Sequence, residues 1–175
     1  MRKLRYNVAV SLDGFIATLD GGYDWIVEDP SIDFAALYAE FDTALMGRHT
    51  FETMRAQGTG GVLPGLRTVV FSRTLRDEDA PGVAVVNADA AEAVAALKAE
   101  AGRDLWLFGG GALFRTLLDA GLVDAVEVAV IPVLLGEGGP LVAPGRRSPV
   151  LRLTAHEVLP SGIVRLTYAV PDAAA

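Results

Sequence analysis

Three short stretches of this chain place glycine or serine beside cationic and hydroxyl side chains, and each comes directly after a largely apolar run. Gly47, Arg48, His49 and Thr50 follow Thr43 to Met46; Ser72 and Arg73 follow Arg67 to Phe71; Gly109, Gly110, Gly111, Ala112 and Leu113 follow Leu105 to Phe108. Glycines carry no side chain to keep a ligand off the backbone, and amide N–H groups at a helix start attract an anion. The triplet therefore suits a pyrophosphate, while Arg48, Ser72 and Arg73 suit one further phosphate through charge-assisted hydrogen bonds. A pyrophosphate cradle beside a site for a sugar phosphate is what a phosphorylated adenine dinucleotide requires. A glycine triplet alone also serves as the tight turn by which a strand enters a helix, so the neighbouring strand ends decide in favour of a ligand.

For the three stretches to meet, their apolar runs must be neighbouring parallel strands, because ligands of open α/β sheets bind beyond the carboxyl ends of the strands. Leu105 to Phe108 is apolar throughout, as a strand covered on both faces is, and Leu113, Phe114, Leu117 and Leu118 then recur at helical spacing. The same change occurs after Met46, where Phe51 and Met54 mark another helix. Further strands are expected at Leu4 to Val10, Val83 to Val86 and Val123 to Val133, with a helix from Asp89 to Ala101 closed by Gly102. Asp13 to Pro30 reads as a long irregular loop whose rings Phe15, Tyr23 and Trp25 mark it as a pocket wall. After it a helix is expected with Ser31 as cap, Asp33 in the first turn, and Phe34, Leu37, Tyr38 and Phe41 on one face. Leu151 to Val158 and Ile163 to Val170 flank a turn at Pro160, Ser161 and Gly162 as a closing hairpin, and Pro171 to Ala175 read as a frayed tail. The pattern predicts one α/β domain over 1–175, its central sheet mixed and mostly parallel with an antiparallel C-terminal hairpin.

Hydrophobic residues make up 51% of the 175, enough for one large core. A net charge of −7 excludes nucleic acid or an anionic membrane as the main partner, so anion binding has to be local. With no cysteine and two widely separated histidines, no metal site is expected. The first residues lack the apolar core of a signal peptide and no run approaches the roughly 18 residues of a membrane span, so the chain is read as cytoplasmic. In Val123 to Val133, Val126, Val128 and Val130 alternate with Ala125, Ala129 and Ile131, making both faces apolar. A single domain is not expected to cover both faces and the aliphatics after Pro132, which points to a partner surface.

In order, Ala9-Val-Ser-Leu-Asp-Gly-Phe-Ile-Ala, Met46-Gly-Arg-His-Thr-Phe-Glu, Leu63-Pro-Gly with Val69-Val-Phe-Ser-Arg, Phe108-Gly-Gly-Gly and Ile131-Pro-Val-Leu-Leu-Gly-Glu-Gly resemble the dihydrofolate reductase fold family. The likeness covers nearly the whole chain and is closer to the branch containing the C-terminal reductase domain of bacterial riboflavin biosynthesis. It implies a three-layer α/β/α fold and NADPH as cofactor. By this resemblance Gly47, Arg48, His49 and Thr50 hold cofactor phosphate and ribose, Ser72 and Arg73 the 2′-phosphate, and Gly109 to Leu113 the pyrophosphate. Ala9 and the loop from Ala17 to Tyr23 border the nicotinamide, and a twofold homodimer forms through the region of Val123 to Val133.

In the folate enzymes an acid at the start of the first helix relays a proton, and Asp33 falls in that place if a gap of two residues is allowed. A carboxylate facing an apolar pocket has the raised pKa suited to that work, whereas an acid there also stabilises a helix N-terminus, and both readings stay open. Asp13, Tyr23 and Trp25 are expected on the substrate side. The folate enzymes also place an arginine after Leu63-Pro-Gly to clamp a glutamate tail; here that position is Leu66, and Arg67 points to the other face. The expected activity is hydride transfer from NADPH to a small heteroaromatic or carbonyl substrate, as in the pyrimidine reductases. Dihydrofolate reduction and a non-catalytic nucleotide-binding module are the alternatives. The zinc deaminase domain that accompanies this branch needs length and cysteines that the chain lacks.

Overall fold

The computed structural model describes residues 1–171, so the expected frayed tail lies, apart from Pro171, outside the described residues. Along the chain run β1 (Leu4–Ser11), β2 (Phe15–Ala17), α1 (Phe34–Ala39), β3 (Phe41–Gly47), α2 (Arg48–Ala56), β4 (Arg67–Phe71) and β5 (Ala84–Val86). Then follow α3 (Ala90–Ala99), β6 (Asp104–Gly109), α4 (Gly111–Asp119), β7 (Ala125–Ile131), β8 (Gly139–Pro140), β9 (Arg152–Val158) and β10 (Val164–Ala169). One sheet has the order β5-β4-β3-β6-β1-β7-β10-β9, while β2 and β8 pair separately. Neighbours from β5 to β7 are parallel, and β10 and β9 are added antiparallel.

Strands buried on both faces must be apolar on both, which is why they read as continuous runs. Leu4, Tyr6, Leu45, Leu105 and Leu107 face α3 and α4, whose Val94, Leu97, Phe114 and Leu117 complete that layer. The Tyr6 and Phe114 rings stack there with centroids 4.0 Å apart. Phe41, Ala44, Met46 and Trp106 face Phe51 and Met54 of α2 on the opposite side. Helices on both faces give the three layers expected.

The helix after Ser31 is shorter than its spacing predicts. Asp33 is itself the N-cap, its side chain accepting from Ala36 N at 2.9 Å, and Phe41 opens β3 instead of extending the apolar face of α1. Ser31 does not cap; its hydroxyl donates to Asp29. None of the residues of α1 is fully buried, but Leu37 and Tyr38 are half-buried and pack on the sheet, the Tyr38 ring edge-on to Trp106 with centroids 5.2 Å apart.

The stretch from Asp13 to Pro30 is also less irregular than expected, because β2 within it pairs with β8, Ala17 in register with Gly139. Asp29 is buried and accepts from Ser31 N at 2.9 Å and Ser161 N at 3.0 Å, clipping the loop to the turn between β9 and β10. Hydrogen bonding from Ser161 and then Ser31 holds its carboxyl well below the usual carboxylate range. A group with a lowered folded pKa adds stability that is complete above its unfolded pKa and is lost as pH falls through the folded value. Asp29→Asn is therefore expected to melt below wild type at pH 7, the two curves converging as pH drops below about 4. A gap independent of pH would rule out the charged clip.

β7 lies inside the sheet between β1 and β10, and Val126, Val128 and Ile131 are buried within the chain. Val126 and Val128 belong to the core cluster of Phe114 and Leu117, and Ile131 to that of Leu159 and Ile163, while Ala125, Ala129 and Val130 are half-buried. The open edge is β9, exposed at all 7 residues, whereas the opposite edge, β5, has only 3.

Candidate active site

The strand order brings the three glycine- or serine-bearing ends together. Gly47 at the end of β3 is in register with Phe71 of β4, and Met46 with Gly109 of β6, so Ser72 and the glycine triplet flank Gly47 on either side. Two helices begin on this rim, α2 after Gly47 and α4 after Gly110, and neither N-cap residue offers a side-chain acceptor. The first N–H groups of both helices are thus left for an external anion, with the dipoles of two helices behind them. A Cβ built on Gly109 or on Gly110 would lie 3.4 Å from Thr50 Oγ1, which shows how closely the start of α2 approaches the turn. Gly109 and Gly110 are joined by a cis peptide bond. Gly111 is needed for packing, since a Cβ there would come within 2.5 Å of Pro140 O. Ala112 is exposed and Leu113 half-buried in the first turn of α4.

Arg48 and Arg73 are exposed on the same rim. The Arg48 guanidinium donates from Nε to Glu52 Oε1 at 2.6 Å and also reaches Thr74 Oγ1. Ser72 Oγ accepts from the N–H groups of Thr74 and Leu75 at 3.2 and 3.0 Å and keeps its own proton to donate. His49 is exposed and Thr50 half-buried. Thr74 and Asn87 were missed from the sequence; Asn87 Nδ2 donates to Ser72 O at 2.6 Å and to Leu75 O at 3.0 Å, fixing this loop. A serine directly after a strand caps a turn by accepting from main-chain N–H groups a few residues on, and that was the available signal.

The residues expected on the substrate side scatter. Asp13 accepts from Ser11 Oγ at 2.6 Å, Leu135 N at 3.1 Å and Gly136 N at 2.7 Å, and these bonds, the Ser11 hydroxyl first, hold its carboxyl down at about 2. It clamps the segment after β7 to the end of β1. Tyr23 is exposed, while Trp25 packs on Ile131, Leu159 and Ile163 and donates Nε1 to Gly22 O at 3.2 Å. Asp33 is exposed at the start of α1, not enclosed by apolar side chains. Ala9 is half-buried beside Trp25, Ile26 and Ile32, in register with Ala129.

On the face of the sheet that carries α1 and α2, two apolar clusters lie on either side of a polar pair. On this face Trp106 and Phe108 with Tyr38 form one apolar cluster, and Ala9 and Ala129 with Trp25 form a second. Between the clusters are Asn7 of β1 and Glu127 of β7, register partners joined by a hydrogen bond of 2.8 Å. No sequence expectation included this polar floor. Among the described residues there is no group of side chains that could hold a metal ion.

A mostly parallel sheet between two helical layers, with an antiparallel C-terminal hairpin and two helices starting side by side at its carboxyl rim, has the architecture of the dihydrofolate reductase fold. Dihydrofolate reductase from Enterococcus faecalis, solved with NADP(H) and RAB-propyl, shares that fold with a TM-score of 0.72 and 22% identity, each chain covered to 97%. The chain belongs to the RibD C-terminal domain family, whose family model matches residues 2–165. YyaP of Bacillus subtilis, a protein described as uncharacterized, is 32% identical over 178 residues, covering 95% of this chain and 94% of its own length. A candidate riboflavin biosynthesis protein from Shewanella sp. PV-4 superposes with a TM-score of 0.81 at 27% identity, over 98% of this chain and 99% of its own.

Proposed function

We propose that the protein is an NADPH-dependent reductase that transfers hydride to a small heteroaromatic or carbonyl substrate, in the manner of a pyrimidine reductase. The observation that carries this reading is the pair of helix N-termini, at Arg48 and Gly111, that open side by side on one rim without a side-chain cap. Gly109 to Leu113 would hold the pyrophosphate, Gly47, His49 and Thr50 the neighbouring phosphate and ribose, and Arg48, Ser72 and Arg73 the 2′-phosphate. Ala9 and Ala17 would border the nicotinamide, the ring that supplies the hydride when the cofactor is bound. Tyr23 and Trp25 would stand at the loop side of a substrate groove between the two apolar clusters, and Asp33 at its mouth would donate the proton that balances the hydride.

Arg48 and Arg73 are exposed, and charge-assisted bonds of this kind are worth about 1.5–3 kcal/mol before solvent screening. NADPH is accordingly expected to bind at least about tenfold tighter than NADH. Equal dissociation constants by calorimetry would remove these arginines from the cofactor site.

Folate reduction fits less well. Arg67 lies at the start of β4, away from the rim, with Nη1 3.6 Å from Glu100 Oε2, and Leu66 packs into the α2 layer, so neither offers a clamp for a glutamate tail. The deciding experiment follows loss of NADPH absorbance with a panel of pterin, pyrimidine and flavin-precursor substrates. Turnover of a pyrimidine supports the reading, turnover of dihydrofolate supports the alternative, and stoichiometric NADPH binding without oxidation leaves a nucleotide-binding module.

The reading includes a cytoplasmic homodimer; among the described residues no helix is long and apolar enough to cross a membrane. Besides the region of Val123 to Val133, β9 offers a surface for self-association. A fully exposed 7-residue edge presents a row of unpaired N–H and C=O groups, and antiparallel pairing about Ala155 would satisfy it in a twofold manner. Sedimentation at micromolar concentration is expected to give a dimer that Ala155→Pro converts to monomer; a wild-type monomer would refute it.

A further inference from the structure

The polar floor of the groove has an orientation that constrains what can lie on it. Glu127 accepts from Arg5 Nε at 2.6 Å and Arg5 Nη2 at 3.0 Å, as well as from Asn7 Nδ2 at 2.8 Å. Arg5 is anchored in turn by Glu40 and lies over the Phe41 ring, 4.6 Å from its centroid. A carboxylate paired with an arginine only accepts, so the nitrogen of the Asn7 carboxamide must face Glu127 and Oδ1 must face away from it. The Asn7 main chain is pinned as well, its carbonyl accepting from Trp106 Nε1 at 2.9 Å. Among the described residues no donor reaches Asn7 Oδ1. The half-buried floor between the two apolar clusters therefore presents one fixed hydrogen-bond acceptor, beneath a helix none of whose residues is fully buried.

We infer that Asn7 is a specificity-determining residue whose Oδ1 accepts a hydrogen bond from an N–H of the substrate. The inference rests on the reading of the groove as the substrate site of a reductase. It narrows the substrate from any small heteroaromatic or carbonyl compound to a planar heterocycle that carries an amino or ring N–H on the edge facing β1. A compound with only acceptors on that edge would set lone pair against lone pair and leave Oδ1 desolvated without a partner. Sites built around such a hydrogen bond reject the analogue that lacks it far more strongly than a purely apolar pocket does. Glu127 and Arg5 act as positioning residues, because rotation of the amide would place its NH2 group in the groove and invert the preference.

The test is calorimetric titration of 2,4-diaminopyrimidine and of 2,4-dimethoxypyrimidine, the same ring without N–H donors, into wild type, Asn7→Leu and Asn7→Ala. Each is run with and without saturating NADPH. Wild type is expected to bind the diamino compound at least about tenfold tighter. In both variants the ratio is expected to fall within about threefold while NADPH affinity changes by less than about twofold. A ratio that survives both substitutions, or a wild type that does not prefer the diamino ring or binds neither, would overturn the role of Asn7. Wild type that fails to bind NADPH but keeps an Asn7-dependent preference would instead remove the reductase reading and leave the acceptor in place.

Discussion

Gly110→Val is expected to weaken NADPH binding by about a hundredfold or more while the melting temperature stays within about 3 °C of wild type. The backbone at Gly110 has φ −104° and ψ −171°, a conformation any residue adopts, so the substitution carries no backbone strain. The nearest atom to an added Cβ is Thr50 Oγ1 at 3.4 Å. A Cβ therefore fits the folded protein, and the expected conflict is with whatever occupies the space above the first turn of α4. Valine branches at Cβ, and those methyl groups stand where phosphate oxygens must come to reach the N–H groups of Gly111 to Leu113. Gly111→Ala is the contrasting control, because its Cβ meets backbone, Pro140 O at 2.5 Å and Ala143 N at 3.3 Å, and should lower the melting temperature itself. Calorimetry and thermal melting of the two variants separate these effects. Wild-type affinity in Gly110→Val would reduce the triplet to a turn.

Asp33→Asn is expected to lower turnover by roughly a hundredfold at neutral pH with NADPH affinity unchanged within about threefold. Asparagine caps a helix about as well as aspartate, and the bond that Asp33 makes to Ala36 N needs only an acceptor oxygen. The substitution thus preserves α1 and removes only the transferable proton. Because solvent protonates the substrate more readily at low pH, the deficit should shrink there. Wild-type rates from pH 5 to 8 would make Asp33 a helix cap alone.

Much of this architecture was legible because buried parallel strands announce themselves. Leu105 to Phe108 and Thr68 to Phe71 have no solvent-facing side to encode, so their boundaries show as changes in composition. The rim followed from the positions of Gly47, Ser72 and Gly109 immediately after such runs. The end of α1 was not legible, because Phe41 continues the helical spacing of Phe34, Leu37 and Tyr38 although its ring belongs to the core of β3. β2 and β8 are too short to show a period, and pair only because the fold brings Ala17 to Gly139. The polar floor was hidden for another reason. Asn7 and Glu127 each look like a single polar residue at the surface face of a strand, and only the register of β1 on β7 turns them into a pair, 120 positions apart.

The seam between β2 and β8 has a mechanical consequence. Leu12 N donates to Val133 O at 2.9 Å, Leu141 N to Gly14 O at 2.9 Å, and Gly138 passes so close to Ala17 O that an added Cβ would sit 2.1 Å from it. Further along the same segment, Ala143 N donates to Gly111 O at 3.1 Å, at the first turn of α4. The two layers are thus laced along their length and attached at the far end to the proposed phosphate cradle. A loop held this way cannot swing out by itself. Its main-chain bonds run without a break from the end of β1 to the first turn of α4, so a substitution that loosens this seam is felt at that turn as well.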